Sequence, residues 1–247
     1  MIQVASFTKT YGDFVAVRDL SFTVGAGEIL GLVGPNGAGK TTTMRALSGI
    51  ISPTAGQLSV VGHDIVTDPI AAKHALGYIP DDPRLFDSLT VWEHLEFVAA
   101  AYGVGDFKPV ANELLRSFNL MDKRDSVVQG LSRGMRQKVA IACAYLHAPE
   151  VILFDEPLTG LDPGGMRTIR ESLPERAAQG AAIIISSHLL GLVESLCTHL
   201  LVLHHGQCQR FGRMDEVLQA FDEAQGDTTL EALFFAITHD DAKPGQR

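Results

Sequence analysis

Hydrophobic positions divide the chain into regions of different spacing. Near the N-terminus, apolar and polar residues alternate over short runs at residues 4–7, 20–24 and 58–61, and glycine-containing turns separate the runs. Such alternation is typical of strands that bury one face. The first region therefore predicts an antiparallel sheet.

The central region has a helical period. Between about residues 90 and 146, apolar residues recur three or four positions apart, which predicts amphipathic helices. The residues that carry this pattern are Trp92, Leu95, Phe97, Val98, Leu114, Leu115 and Phe118. We predict a helical subdomain over residues 82–146.

Continuous apolar runs at residues 29–33, 151–154 and 182–185 predict strands that a sheet buries on both faces. The predicted fold class is therefore α/β, with a mixed or parallel sheet in its core, an N-terminal antiparallel β subdomain and an inserted α-helical subdomain. We predict one domain over residues 1–240, with its core in 1–81 and 147–210. Short C-terminal helices are predicted in 211–238, and a disordered tail in 239–247.

The run at 29–33 is followed by the segment GPNGAGKT, residues 34–41, which fits the pattern G-x-x-x-x-G-K-[ST] at every fixed position. Glycines let backbone N–H groups turn toward phosphate oxygens, while Lys40 reaches the outer phosphates and the Thr41 hydroxyl can bind Mg²⁺. The sequence thus predicts a nucleoside triphosphate site, and with it that the α/β core is a P-loop NTPase core. Its predicted contacts are Gly34, Asn36, Gly37, Ala38, Gly39, Lys40, Thr41 and Thr42.

Asp155 and Glu156 stand at the end of the run 151–154, where an open α/β sheet binds its ligands. Asp155 would hold Mg²⁺, and Glu156 would take a proton from the water that attacks the γ-phosphate. On their own, the two residues fit equally well as a cap for the next segment. The triphosphate motif at 34–41 favours the catalytic interpretation.

Composition limits the other possibilities. The net charge of −9 argues against nucleic acid as the main partner, and Cys143, Cys197 and Cys208 form no C-x-x-C pair that would predict a disulfide framework or a zinc site. The apolar runs are shorter than the about 20 residues that cross a bilayer. Residues 1–6 lack the pattern of a signal peptide, so we expect a cytoplasmic location.

The motifs at 34–41, 131–135, 151–157 and 159–162, followed by His188 after an apolar run, resemble those of the ATP-binding subunit of ABC transporters. The resemblance extends over residues 2–238 and is greatest to the ABC-2 export type. It implies ATP and Mg²⁺ as cofactors. It also implies that Tyr11 stacks on adenine and that His188 contacts the γ-phosphate, although Tyr11 fits an ordinary strand aromatic as well.

The segment LSRGM at 131–135 resembles the family's signature, usually Leu-Ser-Gly-Gly-Gln, which contacts ATP bound to the opposite subunit. The resemblance implies that Ser132 and Gly134 contact a partner's nucleotide, and it assigns Asp162 to nucleotide binding as well. Catalysis would then need a second ATPase subunit, identical or not. Arg133 and Met135 depart from the usual pattern, although a basic residue before Gly-Met also occurs in export-type members.

Asp81 stands where the family usually has a glutamine that approaches Mg²⁺. A carboxylate oxygen can also bind Mg²⁺, so Asp81 is a third candidate metal ligand beside Thr41 and Asp155. Its negative charge should also repel the phosphates of ATP. We therefore expect reduced but real turnover.

The leading hypothesis is an ATPase subunit that closes with a second copy around two ATP molecules and drives a separate integral-membrane permease. It would lie peripherally on the inner face of the cell membrane and serve export of an unidentified substrate. The permease would dock near residues 85–102, where Phe86, Leu89 and Trp92 fit either a docking surface or ordinary core. The alternatives are a soluble ABC-type ATPase that remodels ribosomes or nucleic acid, and a scaffold that binds ATP without hydrolysis.

Overall fold

The computed structural model describes residues 1–158, 160–225 and 229–239. The strands are β1 Ile2–Tyr11, β2 Phe14–Val24, β3 Ile29–Val33, β4 Ala55–Val60, β5 His63–Asp64, β6 Leu76–Ile79, β7 Val151–Asp155, β8 Ala182–Ser186, β9 His199–His204 and β10 Gln207–Arg213. The helices are α1 Lys40–Leu47, α2 Pro69–His74, α3 Val91–Tyr102, α4 Lys108–Ser117, α5 Arg133–Leu146, α6 Pro163–Ala178, α7 Leu190–Leu196, α8 Met214–Gln225 and α9 Leu230–His239. Short 3₁₀ helices lie at Met121–Lys123 and Val128–Gly130.

Six strands form the central sheet in the order β10-β9-β3-β8-β7-β6. The five strands from β9 to β6 run parallel, and β10 pairs antiparallel at one edge. Every residue of β3, β7 and β8 is buried, which explains why their sequences are apolar without alternation. The predicted α/β class with a mixed sheet is confirmed.

Alternate residues of the central strands enter two different cores. Phe154 and Ile185 face the core that includes α3, α5 and α6. Leu153 and Ile184 face the other core, which includes Met44 of α1 and the N-terminal strands. The central sheet is therefore a middle layer, and the loops at the ends of its strands converge from both sides on one edge.

The N-terminal sheet has the order β2-β1-β4-β5 and is antiparallel throughout. Strand β1 is longer than the alternating run at 4–7 predicts, because the pairing of β1 with β2 shifts register between Val4 and Phe7. Ser6 lies in this interval with a φ of 49°. Such a bulge breaks the period of two, so the sequence pattern ends before the strand does.

Helices α3, α4 and α5 lie within the predicted helical subdomain, and α3 and α4 both pack against α5. A capping box fixes the start of α3: the Thr90 side chain accepts from the Glu93 N–H, and Glu93 accepts from the Thr90 N–H. Strand β10 continues to Arg213, inside the segment predicted for the C-terminal helices, which α8 and α9 follow. Residues 240–247 of the predicted tail lie outside the described residues.

Among residues 1–158, 160–225 and 229–239, no helix combines the length and the apolar character that a membrane span requires.

Candidate nucleotide and catalytic site

The phosphate-binding loop, residues 34–41, joins β3 to α1. Glycine is required at two of its positions. A Cβ on Gly34 would lie 2.3 Å from the Leu203 carbonyl oxygen, and Gly39 has a φ of 104°, which L side chains rarely adopt. No side chain therefore covers the loop backbone at these two positions, directly before the N-terminus of α1, where the backbone N–H groups favour binding of an anion.

Lys40 begins α1 and is largely buried. Its Nζ donates hydrogen bonds to the carbonyl oxygens of Gly34 at 2.6 Å and Pro35 at 3.1 Å. Burial lowers the pKa of Lys40, while the nearby carboxylates of Glu156 and Asp155 act in the opposite direction. The ammonium group thus lies over the loop, where it can exchange carbonyl oxygens for phosphate oxygens.

Asp155 ends β7 with only 3% of its surface exposed. Its Oδ1 accepts hydrogen bonds from Ser186 Oγ at 2.6 Å and from Thr41 Oγ1 at 3.3 Å, and its Oδ2 accepts from the Tyr78 hydroxyl at 3.5 Å. Burial, assisted by the charge of Asp155, raises the pKa of Tyr78 to about 12, so its hydroxyl remains a donor at neutral pH. The structure thus brings together the predicted Thr41 and Asp155.

Ser186 and Tyr78 were not predicted as site residues. Both belong to strands that neighbour β7, and Ser186 pairs directly with Asp155 in the sheet register. The available sequence signal was a serine at the end of an apolar run, just before the predicted His188. Its value depends on knowing which strands are adjacent, which is not a local property of the sequence.

The donors around Asp155 fit Mg²⁺. A threonine hydroxyl and a buried carboxylate are hard oxygen ligands, and the remaining positions of an octahedral ion are open to water and phosphate oxygens. Asp81, the third predicted ligand, borders the same cavity as Thr41 and Asp155. Its Oδ1, however, accepts a hydrogen bond from Arg133 Nη2 at 2.9 Å.

Glu156 and His188 form a close pair. Glu156 has a φ of 51°, and its N–H donates to the Ser186 carbonyl oxygen at 3.0 Å, which fixes this unusual backbone. His188 Nδ1 lies 2.8 Å from Glu156 Oε2. Because a carboxylate only accepts, Nδ1 carries the proton in this pair. The two residues predicted at the γ-phosphate are therefore in mutual contact, and the histidine orients the carboxylate.

A cavity of about 390 Å³, here called the nucleotide cavity, extends from the phosphate-binding loop to the β1–β2 hairpin. Tyr11 and Phe14 pair across this hairpin and leave 49% and 64% of their surfaces exposed. Phe14 was not predicted. The predicted residues that line the cavity are Tyr11, Asn36, Gly37, Ala38, Gly39, Lys40, Thr41, Thr42, Asp81, Asp155 and Glu156. Of the other predicted residues, Gly34 and His188 do not line this cavity but contact Lys40 and Glu156, which do.

A separate group of predicted residues lies outside the nucleotide cavity and is here called the signature cluster: Ser132, Gly134 and Asp162. Ser132 caps α5 by accepting from the Met135 N–H at 3.3 Å. A Cβ on Gly134 would lie 2.4 Å from the Gly160 carbonyl oxygen, so the start of α5 packs directly on the 160–162 backbone.

Asp162 completes the signature cluster. It caps α6 by accepting from the Gly165 N–H at 3.0 Å, and it pairs with the buried Lys138 at 2.8 Å. The hydrogen bond from Lys138 holds the pKa of Asp162 below its usual value. Within one chain these three residues have structural contacts and none of them lines the nucleotide cavity.

A glycine-rich loop over a helix N-terminus, a lysine, a Thr–Asp pair and a poised glutamate on a mainly parallel sheet define a P-loop nucleoside triphosphatase. A family model described as "ABC transporter" matches residues 17–159. The chain therefore belongs to the ABC transporter family, as its ATP-binding ATPase subunit.

Individual relatives agree with the family assignment. The chain is 33% identical over 244 residues to the ABC-type transporter ATP-binding protein EcsA of Bacillus subtilis (strain 168), covering 98% of each chain. It is 38% identical over 208 residues to the Nod factor export ATP-binding protein I of Rhizobium sp. (strain N33), covering 83% of this chain and 68% of that one. A solved ATP-binding subunit of an ABC transporter superposes with a TM-score of 0.91 at 33% identity, covering 96% and 99%.

Proposed function

We propose that this ATPase subunit uses Glu156 as its catalytic base, works as a dimer with two composite ATP sites, and drives export through a separate permease. The observation that carries the proposal is the position of Glu156, which lines the same cavity as Thr41, Asp155 and Lys40 and is in contact with His188. These are the parts that phosphoryl transfer to water requires.

The loop N–H groups and Lys40 would bind the triphosphate. Thr41 and Asp155 would hold Mg²⁺, which when bound neutralises charge on the phosphate oxygens. Glu156 would orient a water molecule and take its proton as the water oxygen attacks the γ-phosphorus. The bond between the γ-phosphorus and the bridging oxygen then breaks, and ADP and phosphate leave. His188 would keep the Glu156 carboxylate in position through its Nδ1–H.

The signature cluster supports a dimer. Ser132, Gly134 and Asp162 lie away from the nucleotide cavity of their own chain, while the resemblance assigns them to a nucleotide. A second subunit, arranged head to tail, would place one cluster against the other's ATP. We propose that each site is composite, whether the partner is identical or different.

A groove beside the helical subdomain is the proposed docking site for the permease. It has a volume of about 240 Å³ and lies between the 77–85 segment, α3 and α5, with Leu85, Val98 and Tyr102 in its walls. Phe86 is exposed and packs edge-on against the exposed Phe97. Of the other candidates, Trp92 packs against Phe107 at a tilt and lies under Arg124, contacts that favour a role in the packing of the subdomain.

Export is proposed because a relative that covers much of the chain is named for Nod factor export, and because the signature segment has the form seen in ABC-2 exporters. A peripheral location on the inner face of the cell membrane follows from ATP as the energy source and from a separate permease. The relatives given above lend no support to ribosome or nucleic-acid remodelling.

The decisive experiment compares phosphate release by the wild type and by Glu156→Gln, with Mg²⁺ and with EDTA. We expect the variant to bind ATP yet lose turnover by roughly 100-fold or more, because the base is gone and the shape of the side chain is kept. Glu150→Gln is the matched control, since Glu150 is an exposed glutamate just before β7. Equal turnover in Glu156→Gln and wild type would refute the assignment, and a wild type without turnover would indicate the scaffold.

A second experiment addresses the partner. The full chain is purified from native membranes in mild detergent, and the accompanying proteins are identified by mass spectrometry. We expect a multi-spanning membrane protein in near-equal amount. Ribosomal proteins or nucleic acid in its place would contradict the transport assignment.

A further inference from the structure

Two of the three positions at which this chain departs from the family's usual motifs, Asp81 and Arg133, are paired with each other. They lie 52 residues apart in sequence, and Arg133 Nη2 donates to Asp81 Oδ1 at 2.9 Å. The Asp81 side chain is 48% exposed, and the Arg133 side chain is 52% exposed. Asp81 alone would place a negative charge beside the phosphates, and its contact with a guanidinium group indicates that the two residues act as one unit.

The two partners approach from different sides. Asp81 lines the nucleotide cavity together with Asp155 and Glu156, whereas Arg133 is the first residue of α5 and does not line it. The Arg133 stem lies over Gly160: a Cβ on that glycine would be 3.4 Å from Arg133 Cδ. The guanidinium group thus reaches the Asp81 carboxylate from outside the cavity.

The charge in the cavity explains what this pairing does. Three carboxylates, those of Asp81, Asp155 and Glu156, face it together with one cation, Lys40. Asp155 accepts hydrogen bonds from the Thr41 and Ser186 hydroxyls, and Glu156 is in contact with His188. Asp81 is instead in contact with a cation, Arg133, and without that contact its carboxylate would repel an incoming triphosphate.

We infer that Arg133 is a positioning residue for ATP in its own subunit: it neutralises Asp81 and holds that carboxylate to the side, so that the ion pair replaces a neutral amide. The inference rests on the proposed function in that the nucleotide cavity binds ATP. Arg133 would thus act on the ATP of its own subunit, whereas the segment 131–135 to which it belongs is otherwise proposed to contact the ATP of the partner subunit.

The test is a double-mutant cycle on MgATP affinity, measured by titration calorimetry on the full chain in the Glu156→Gln background, which prevents turnover. Arg133→Ala should weaken MgATP binding roughly 3- to 10-fold, because Asp81 is left unpaired at the edge of the cavity. Asp81→Asn should tighten binding. The double variant should return to within about 2-fold of the parent, because the charge that Arg133 offsets is no longer there.

Further measurements separate this role from a structural one. The Arg133→Ala loss should fall from ATP to ADP to AMP and shrink with added salt, since it is a charge effect at a half-exposed site. Arg133→Lys should retain most of the affinity. Arg213→Ala is the matched control: it breaks another exposed pair, Arg213–Asp215 at 3.0 Å, outside the nucleotide cavity.

The outcomes are distinct. A loss in Arg133→Ala that persists in the Asp81→Asn background would overturn the inference and leave Arg133 acting on the partner's nucleotide alone. Unchanged affinity in Arg133→Ala would overturn it as well. A parent that does not bind MgATP at all would refute the proposed function itself, whereas normal binding by the parent with either of the other results refutes only the inference.

Discussion

The nucleotide cavity and the signature cluster differ in how complete they are within one chain. In the cavity, the groups proposed for catalysis are in contact with each other: Asp155 contacts Thr41, and Glu156 contacts His188. In the cluster, Ser132 and Asp162 cap helices, and Gly134 packs on Gly160. The first region brings its predicted groups together within one chain, while the second is a packed surface whose proposed ligand belongs to another subunit.

Within the signature cluster, the largest expected effect comes from Gly134→Val. Its Cβ would lie 2.4 Å from the Gly160 carbonyl oxygen, so the start of α5 and the 160–162 segment must move apart. A displacement of about 1 Å at a group that positions a reacting ligand can cost roughly 100-fold in rate. We expect phosphate release to fall by about that factor while MgATP affinity stays within about 2-fold, because the nucleotide cavity is not touched.

A mixture of two variant subunits tests whether the cluster of one subunit acts on the cavity of the other. Gly134→Val subunits are mixed with Lys40→Met subunits, and each variant is expected to be nearly inactive on its own. If the cluster acts on the partner's nucleotide, a mixed dimer holds one intact composite site, and about a quarter of the parent's rate should return. A mixture no more active than the sum of its components would contradict action between subunits. Preserved melting temperatures would show that both variants fold.

Contiguous features of the cavity could be predicted from the sequence. The phosphate-binding loop and the Asp155–Glu156 pair each occupy adjacent residues, and the apolar runs beside them predict the strands that hold them. The residues that sequence reasoning missed, Ser186 and Tyr78, reach Asp155 through strand register. Register depends on the global order of the sheet, which no short motif encodes.

Pairs of charged residues that are distant along the chain cannot be predicted from short motifs either. The sequence predicts repulsion between Asp81 and the phosphates, but it gives no sign that Arg133, distant along the chain, would offset it. Strands β9 and β10 were also not predicted, and they form one edge of the central sheet. Composition and spacing thus predict which groups are present, whereas their electrostatic balance emerges only when the chain folds.

A second prediction concerns the far end of the nucleotide cavity. Tyr11→Ala should weaken MgATP binding by about 10-fold, because stacking of an aromatic ring on a base contributes roughly 1–3 kcal/mol. Tyr11→Phe should retain the affinity, since the ring alone is needed. The matched control is Phe14→Ala, its more exposed partner across the hairpin, for which a smaller loss is expected.

These variants decide between the two interpretations of Tyr11. Titration with ATP and with inorganic triphosphate separates the base from the phosphates: Tyr11→Ala should leave triphosphate binding unchanged. Equal loss for both ligands would make Tyr11 a structural strand residue. A larger loss for Phe14→Ala than for Tyr11→Ala would transfer the stacking role to Phe14.

The smallest expected effect tests whether the signature cluster is also a structural element. Asp162→Ala should lower the free energy of unfolding by about 1–2 kcal/mol, because α6 loses its N-cap and the buried Lys138 loses its partner. The loss in the free energy of unfolding is limited because the Asp162 side chain is 59% exposed, so water screens much of its charge. The measurement is urea denaturation of the nucleotide-free chain at pH 7.

The pH dependence gives the sign of the Asp162 contribution. The pKa of Asp162 is lower in the folded chain than in the unfolded chain, so the folded state binds fewer protons at this group. The stabilisation is therefore complete above the unfolded pKa of about 4 and is lost as the pH falls through the folded value. The difference between wild type and Asp162→Ala should be constant from pH 5 to 7 and narrow at lower pH. A difference that stays constant below pH 5 would mean that the charge of Asp162 contributes no stabilisation and that the cluster is held by packing alone.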